Sequence, residues 1–144
     1  MPLTQGQTTS FKVGLLKAQF NFDTGTTQVF KFALYTASAS LDATTTAYTT
    51  TDEVTGTGYT AGGVTLTVSQ VPTSSGTTAY IGFADAIWAG ATFTARGGLI
   101  YLANGTTNPS IAVLDFGADK TATSQTFTVQ FPVSTADSAI VRII

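Results

Sequence analysis

Threonine occupies about a fifth of this 144-residue chain, and nothing else in it narrows the choice of fold so much. A β-branched side chain loses rotamer freedom against the preceding turn of a helix, whereas it packs well on a pleated strand. Threonine and serine hydroxyls also compete for the backbone groups a helix needs. Strands are therefore expected. The length suits one domain, 1–144, that buries about two-thirds of its unfolded surface. Such a domain needs no metal or disulfide staple, and without cysteine it has no disulfide. A hydrophobic content of 43% places the chain among globular proteins rather than disordered ones.

The reacting groups are few. There is no histidine and no cysteine, and only 10% of residues are charged. A nucleophilic triad would need an unusual base such as lysine, so the chain is not expected to be an enzyme. The cations Lys12, Lys17, Lys31, Arg96, Lys120 and Arg142 are scattered. Sequence-independent nucleic-acid binding needs them clustered, so nucleic acid is not an expected partner. No apolar run approaches the roughly 18 residues that span a bilayer. The opening residues, MPLTQGQTTSF, lack the charged and apolar regions of a signal peptide. Cytoplasmic synthesis is expected, followed by residence there or inside a larger particle. Two readings fit a surface so poor in charge. Hydroxyls keep it wet, or much of it is covered by copies of itself or by a partner.

Patterning marks the elements. Thr9 or Ser10 is a candidate cap for a short helix over 10–18, which Gly14 weakens and where Phe11 and Val13 would also suit a strand. Residues 28–35 read as a strand with Phe30, Phe32 and Leu34 on its core face. The stretch 37–63 is Thr- and Gly-rich. It reads as an extended surface loop or edge segment anchored by Tyr48, Val54 and Tyr59. Further strands are expected over 64–71, 78–84, 91–102 (with a bulge at Gly97-Gly98), 110–116, 126–131 and 138–144. Turns at Ser74-Ser75-Gly76, Asn104-Gly105 and Gly117-Ala118-Asp119 separate them. The expectation is an all-β fold, a single β-sandwich, Ig-like or jelly-roll-like, with the short N-terminal helix in doubt. Its candidate core is Phe30, Phe32, Leu34, Leu66, Val68, Ile81, Phe83, Leu99, Ile111, Val113, Leu114, Phe127, Val129, Ile140 and Ile143.

Several local patterns have a bland reading. Asp115-Phe116-Gly117 has the letters of a kinase magnesium motif, but the glycine-rich and catalytic loops are missing, so a strand end and turn is expected. Gly56-Thr57-Gly58 and Gly62-Gly63 lack the strand and helix of a phosphate loop. Asp52-Glu53, with Asp42, Asp85, Asp115, Asp119 and Asp137, could supply calcium ligands, but their spacing matches no known loop. A carboxylate pair for glycoside hydrolysis can be drawn from any eight acids. Asn104-Gly105-Thr106 is a sequon and equally a hairpin turn. Trp88, the lone tryptophan, either plugs one end of the sandwich or faces a partner.

The order of segments resembles a family of small tailed-phage virion proteins. The likeness rests on Ser10-Phe11-Lys12 through Leu15-Leu16-Lys17, then Phe30-Lys31-Phe32-Ala33-Leu34-Tyr35-Thr36 and Leu41-Asp42-Ala43-Thr44-Thr45-Thr46-Ala47-Tyr48. It continues through Glu53-Val54-Thr55-Gly56-Thr57-Gly58-Tyr59-Thr60-Ala61-Gly62-Gly63, Thr94-Ala95-Arg96-Gly97-Gly98-Leu99-Ile100-Tyr101 and Ala112-Val113-Leu114-Asp115-Phe116-Gly117 to the terminal strand. The resemblance implies a structural protein on the capsid surface of a virion, made in the host cytoplasm. A cement or decoration protein is the first choice. Its implied partners are the major capsid protein and itself, as a dimer or trimer, with no cofactor and no catalytic residue. The contact candidates are Tyr48, Glu53, Val54 and Tyr59 in the 37–63 loop, together with Trp88, and deleting the loop is expected to spare folding but abolish attachment to the particle. The rival reading is a tail fibre or baseplate adhesin whose Tyr48, Tyr59 and Trp88 stack on host glycans.

Overall fold

The computed structural model describes residues 3–144. Met1 and Pro2, where the segment read as lacking a leader begins, lie outside the described residues. The elements are β1 (Gly6–Gln7), α1 (Thr9–Leu16), β2 (Phe30–Tyr35), β3 (Val64–Thr65), β4 (Val68–Ser75), β5 (Thr78–Phe83), β6 (Ala86–Leu102), β7 (Ser110–Val129) and β8 (Val141–Ile143). Two antiparallel sheets result, β1-β7-β6-β2-β3 and β4-β5-β8. The chain is an all-β, sandwich-like protein with one short helix.

The helix starts one residue before the sequence suggests. Thr8, rather than Thr9 or Ser10, is the cap, and its hydroxyl accepts the Phe11 N–H at 3.3 Å. Ala18, in the left-handed region at φ 57°, ends the turn. Gly14, the residue that argued against helix, is what lets Phe20 approach, because a Cβ there would strike its ring. Phe20 and Phe22 then carry the helix into a chain of aromatic contacts. Phe11 meets Phe20 edge-on at 4.9 Å, Phe22 stacks on Phe30 at 4.6 Å, and Phe32 meets Phe131 edge-on at 5.5 Å. Each such pair adds about 0.5–1.5 kcal/mol to the burial of its area.

Strand β2 is buried on both faces. Phe30, Phe32 and Leu34 enter the large core, as their alternation predicts. Ala33 and Tyr35 point the other way, into a second cluster with Leu3, Ala39, Leu41, Leu99, Tyr101 and Val113. Residues 37–63 cover that cluster as an irregular, largely exposed segment anchored by Tyr48, Val54 and Tyr59, as the sequence suggests. Ala39, Leu41, Glu53 and Val54 are buried. Isolated bridges Tyr35↔Glu53, Ala47↔Pro109 and Thr57↔Thr92 pin the segment to the sheet. At its end Gly63, with φ 81°, lies so close to β2 that a Cβ would overlap the Phe32 carbonyl oxygen.

Other boundaries move for tertiary reasons. The expected strand 64–71 breaks at Leu66-Thr67, its start pairing with β2 and its remainder with β5. Strand β6 begins at Ala86, so Trp88 lies within a strand and not between two. The turn expected at Gly117-Ala118-Asp119 is a bulge inside one 20-residue strand. Ala95 pairs with Lys120 and Gly97 with Asp115, so the extra residues sit on β7, close to the expected Gly97-Gly98 irregularity. Of the candidate core, Val68 and Ile140 are only half-buried, and Ile143 is exposed.

Candidate functional site

The most polar interior site is built where the chain leaves β2. Thr36 N–H donates to the Asp52 carbonyl at 3.0 Å, and Val54 N–H to the Leu34 carbonyl at 3.0 Å. These bonds lay residues 52–54 beside the end of β2 and carry Glu53 inward, leaving it 8% exposed. Its Oε1 accepts the Tyr48 hydroxyl at 2.7 Å. Its Oε2 accepts the Tyr59 hydroxyl at 2.6 Å and the Gly62 N–H at 2.8 Å. Tyr101 donates to the Gly62 carbonyl at 2.7 Å and stacks on Tyr48 at 4.7 Å. Tyr35 donates to the Thr49 carbonyl at 2.6 Å.

A buried carboxylate needs compensation for lost water. Here three N–H and O–H donors supply it, and both ion pairs among the described residues involve Arg96 instead. Burial, reinforced by the Glu53 charge, pushes the Tyr101 phenol up to about 12. Burial first, then interactions with Glu53, hold Tyr35, Tyr48 and Tyr59 higher still. All four phenols therefore remain protonated donors at neutral pH. The cluster fastens the 37–63 segment to the sheet. Tyr35, Tyr101 and Gly62 were not anticipated in it. The available signal was Glu53 itself, the chain's one glutamate, set between two tyrosines in a Thr/Gly-rich stretch.

No cation site is assembled among the described residues, where no group of three acidic side chains converges. Asp115 and Asp119 turn to Arg96 at 3.7 and 3.5 Å, and Asp42 accepts from Thr44.

The contact candidates also need correction. Trp88 is 3% exposed, with Phe32, Tyr59, Phe93 and Phe127 around its ring. Val54 and Glu53 are buried as well. Such side chains have almost no area left to bury against a partner. Tyr48 and Tyr59 are half-buried, with their hydroxyls turned to Glu53. Exposed apolar groups lie elsewhere. Leu16 is 91% and Ile144 85% exposed, and Val133, Ile87 and Ile143 are also outside. Leu16 and Ile143 border one shallow groove with Leu15, Lys12, Arg142 and Gln7. The sequence suggests Phe11, Leu15 and Leu16 on one side of the helix, but only Phe11 and Leu15 pack on the core while Leu16 stands exposed.

No family model, curated protein or solved structure matches the chain.

Proposed function

We propose that this chain is a non-enzymatic structural protein of a phage virion, a capsid cement or decoration protein that seats on the shell of the major capsid protein. The observation that carries the reading is how the surface is made. The polar interior cluster is consumed in holding the fold, while Leu16, Ile143, Ile144 and Val133 stand exposed on a chain with 10% charged residues. Such a surface works through area and shape complementarity rather than through reacting groups. The reading also rests on the resemblance of residues 10–17, 30–36, 41–48, 53–63, 94–101 and 112–117 to tailed-phage virion proteins. Self-association as a dimer or trimer at the two-fold or three-fold axes of an icosahedral shell belongs to the same proposal.

The adhesin reading has less support, because Trp88 is interior and the Tyr48 and Tyr59 hydroxyls are engaged by Glu53. Gold labelling of a tagged copy on intact virions tests the proposal by electron microscopy. Label spread over the head is expected. Label confined to the tail tip or fibres would restore the adhesin, and unlabelled particles would reject a surface role on the virion.

A further inference from the structure

The large core is only thinly covered on the side of β7. Leu114, Phe127 and Val129 belong to that core, yet with Phe116 and Lys120 they also line an open notch of about 390 Å³. Phe116 and Phe127 lie 6.4 Å apart there.

Beside the notch runs a strand edge without a neighbour. Strand β1 covers β7 only at Ala112 and Val113. Among the described residues, 121–129 pair with β6 alone. No backbone hydrogen bond takes them to another element. Proteins commonly cover, shorten, bend or charge such an edge. In the middle this one is bent, with Ser124 at φ 49° and slips in register around Ala91. Its last part is regular, with Trp88↔Phe127, Ile87↔Thr128 and Ala86↔Val129 in step. An unpaired edge of this kind is complemented by an extended backbone, and pockets for alternate side chains then supply selectivity.

Charge narrows the occupant. Lys120 is the one ionised side chain lining the notch, and it has no ion-pair partner among the described residues. The acids of the bulge, Asp115 and Asp119, face Arg96. The notch therefore suits an apolar side chain with a carboxylate close by. A second copy of this chain matches poorly. Edge strand β8 carries Arg142 and no acid, and edge strand β4 contains Pro72 and no acid.

We propose that β7 accepts an extended, acidic and apolar segment of a different protein as an added strand along residues 126–129. One apolar side chain of that segment lies in the notch against Phe116, and a carboxylate meets Lys120. This holds whether or not the partner is a capsid protein.

Trp88 provides the readout, since its ring lies 5.9 Å from Phe127 and it is the lone tryptophan. The probe is a short blocked peptide of threonine and valine with a central phenylalanine flanked by glutamates. Two controls carry lysines for the glutamates, or N-methyl groups along the hydrogen-bonding edge. The acidic peptide is expected to change Trp88 fluorescence saturably, and less so at high salt. Each control should need about five-fold more peptide or greater, the scale of one exposed ion pair. Lys120→Glu, at an exposed site, should leave the melting temperature unchanged and reverse the order of acidic and basic peptides. Equal binding of both charge types, indifference to N-methylation, or no response at millimolar peptide would overturn the proposal. So would a dimer in sedimentation that the acidic peptide disperses, because a second copy would then be the occupant.

Discussion

Tyr59 donates its hydroxyl to Glu53 at 2.6 Å, and the same oxygen accepts the Leu34 N–H at 2.9 Å. One phenol thus joins the covering segment to the strand beneath it. Strand β3 pairs with β2 only at Lys31 and Phe32, so Tyr59 serves an amide that β3 does not reach. Tyr59→Phe keeps the ring and removes both bonds. Leaving a strand amide and a buried carboxylate short of partners costs about 3 kcal/mol, or about 10 °C in a chain of this size. A thermal melt followed by circular dichroism checks this, and a shift under about 2 °C would refute it.

Glu53→Gln conserves shape but turns one acceptor into a donor in a ring of donors. It should also destabilise by about 2–3 kcal/mol. In the double variant with Tyr59→Phe the losses should not add, because both act on one network. Chemical denaturation of the four proteins gives the coupling. Full additivity would mean that the two residues act separately.

Alkaline pH should unfold the protein through its tyrosines. Tyr35, Tyr48, Tyr59 and Tyr101 have folded pKa values raised above the ordinary value near 10, Tyr101 to about 12. The unfolded chain releases these protons first, so their stabilisation is complete below about pH 10 and is lost as pH rises towards 12 and beyond. Tyrosinate absorbance should appear together with loss of the circular dichroism signal. Ionisation of these groups in a chain that stays folded near pH 10 would contradict the assignment.

Replacing residues 37–62 with a short glycine-serine linker should abolish cooperative unfolding, in contrast to the tolerance expected of a surface loop. Tyr35, Leu99, Tyr101 and Val113 would lose their cover, and the Glu53 network would be gone. A variant that melts at the parent temperature with a sharp near-ultraviolet spectrum would show that the sheet does not need this layer.

Leu16→Asp probes the exposed groove. Leu16 packs against little, so stability should change by about 0.5 kcal/mol or less. Binding to purified heads should fall at least ten-fold if this face carries attachment. Unchanged binding would move the contact to another face.

How far the sequence could be read depended on how local the cause was. The alternation of Phe30, Phe32 and Leu34 announced both a strand and its buried face, and the helix was legible to within two residues from its capping hydroxyls and apolar positions. The second face of β2 was not legible. Ala33 and Tyr35 share their face with Val29 and Lys31, and only the arrival of Leu41 and Ala39 over them makes that face an interior. Asp115-Phe116-Gly117 carries real turn chemistry, with Gly117 at φ 79°, yet β6 continues alongside and holds the chain in one strand. Trp88, a candidate contact, lies in the core; a lone tryptophan looks the same in sequence whether it faces outward or inward.

Composition and period determined that this chain is built of strands around an aromatic core, because β-branching and two-residue alternation act within a few residues of backbone. The tertiary structure alone decided what the polar stretch is for. Tyr35 and Tyr101 lie far from Glu53 in sequence, and folding brings them together over one sheet. There, loss of water makes each hydroxyl bond indispensable. That turns residues 37–63 from a hydrophilic string into a cover over one face of the larger sheet.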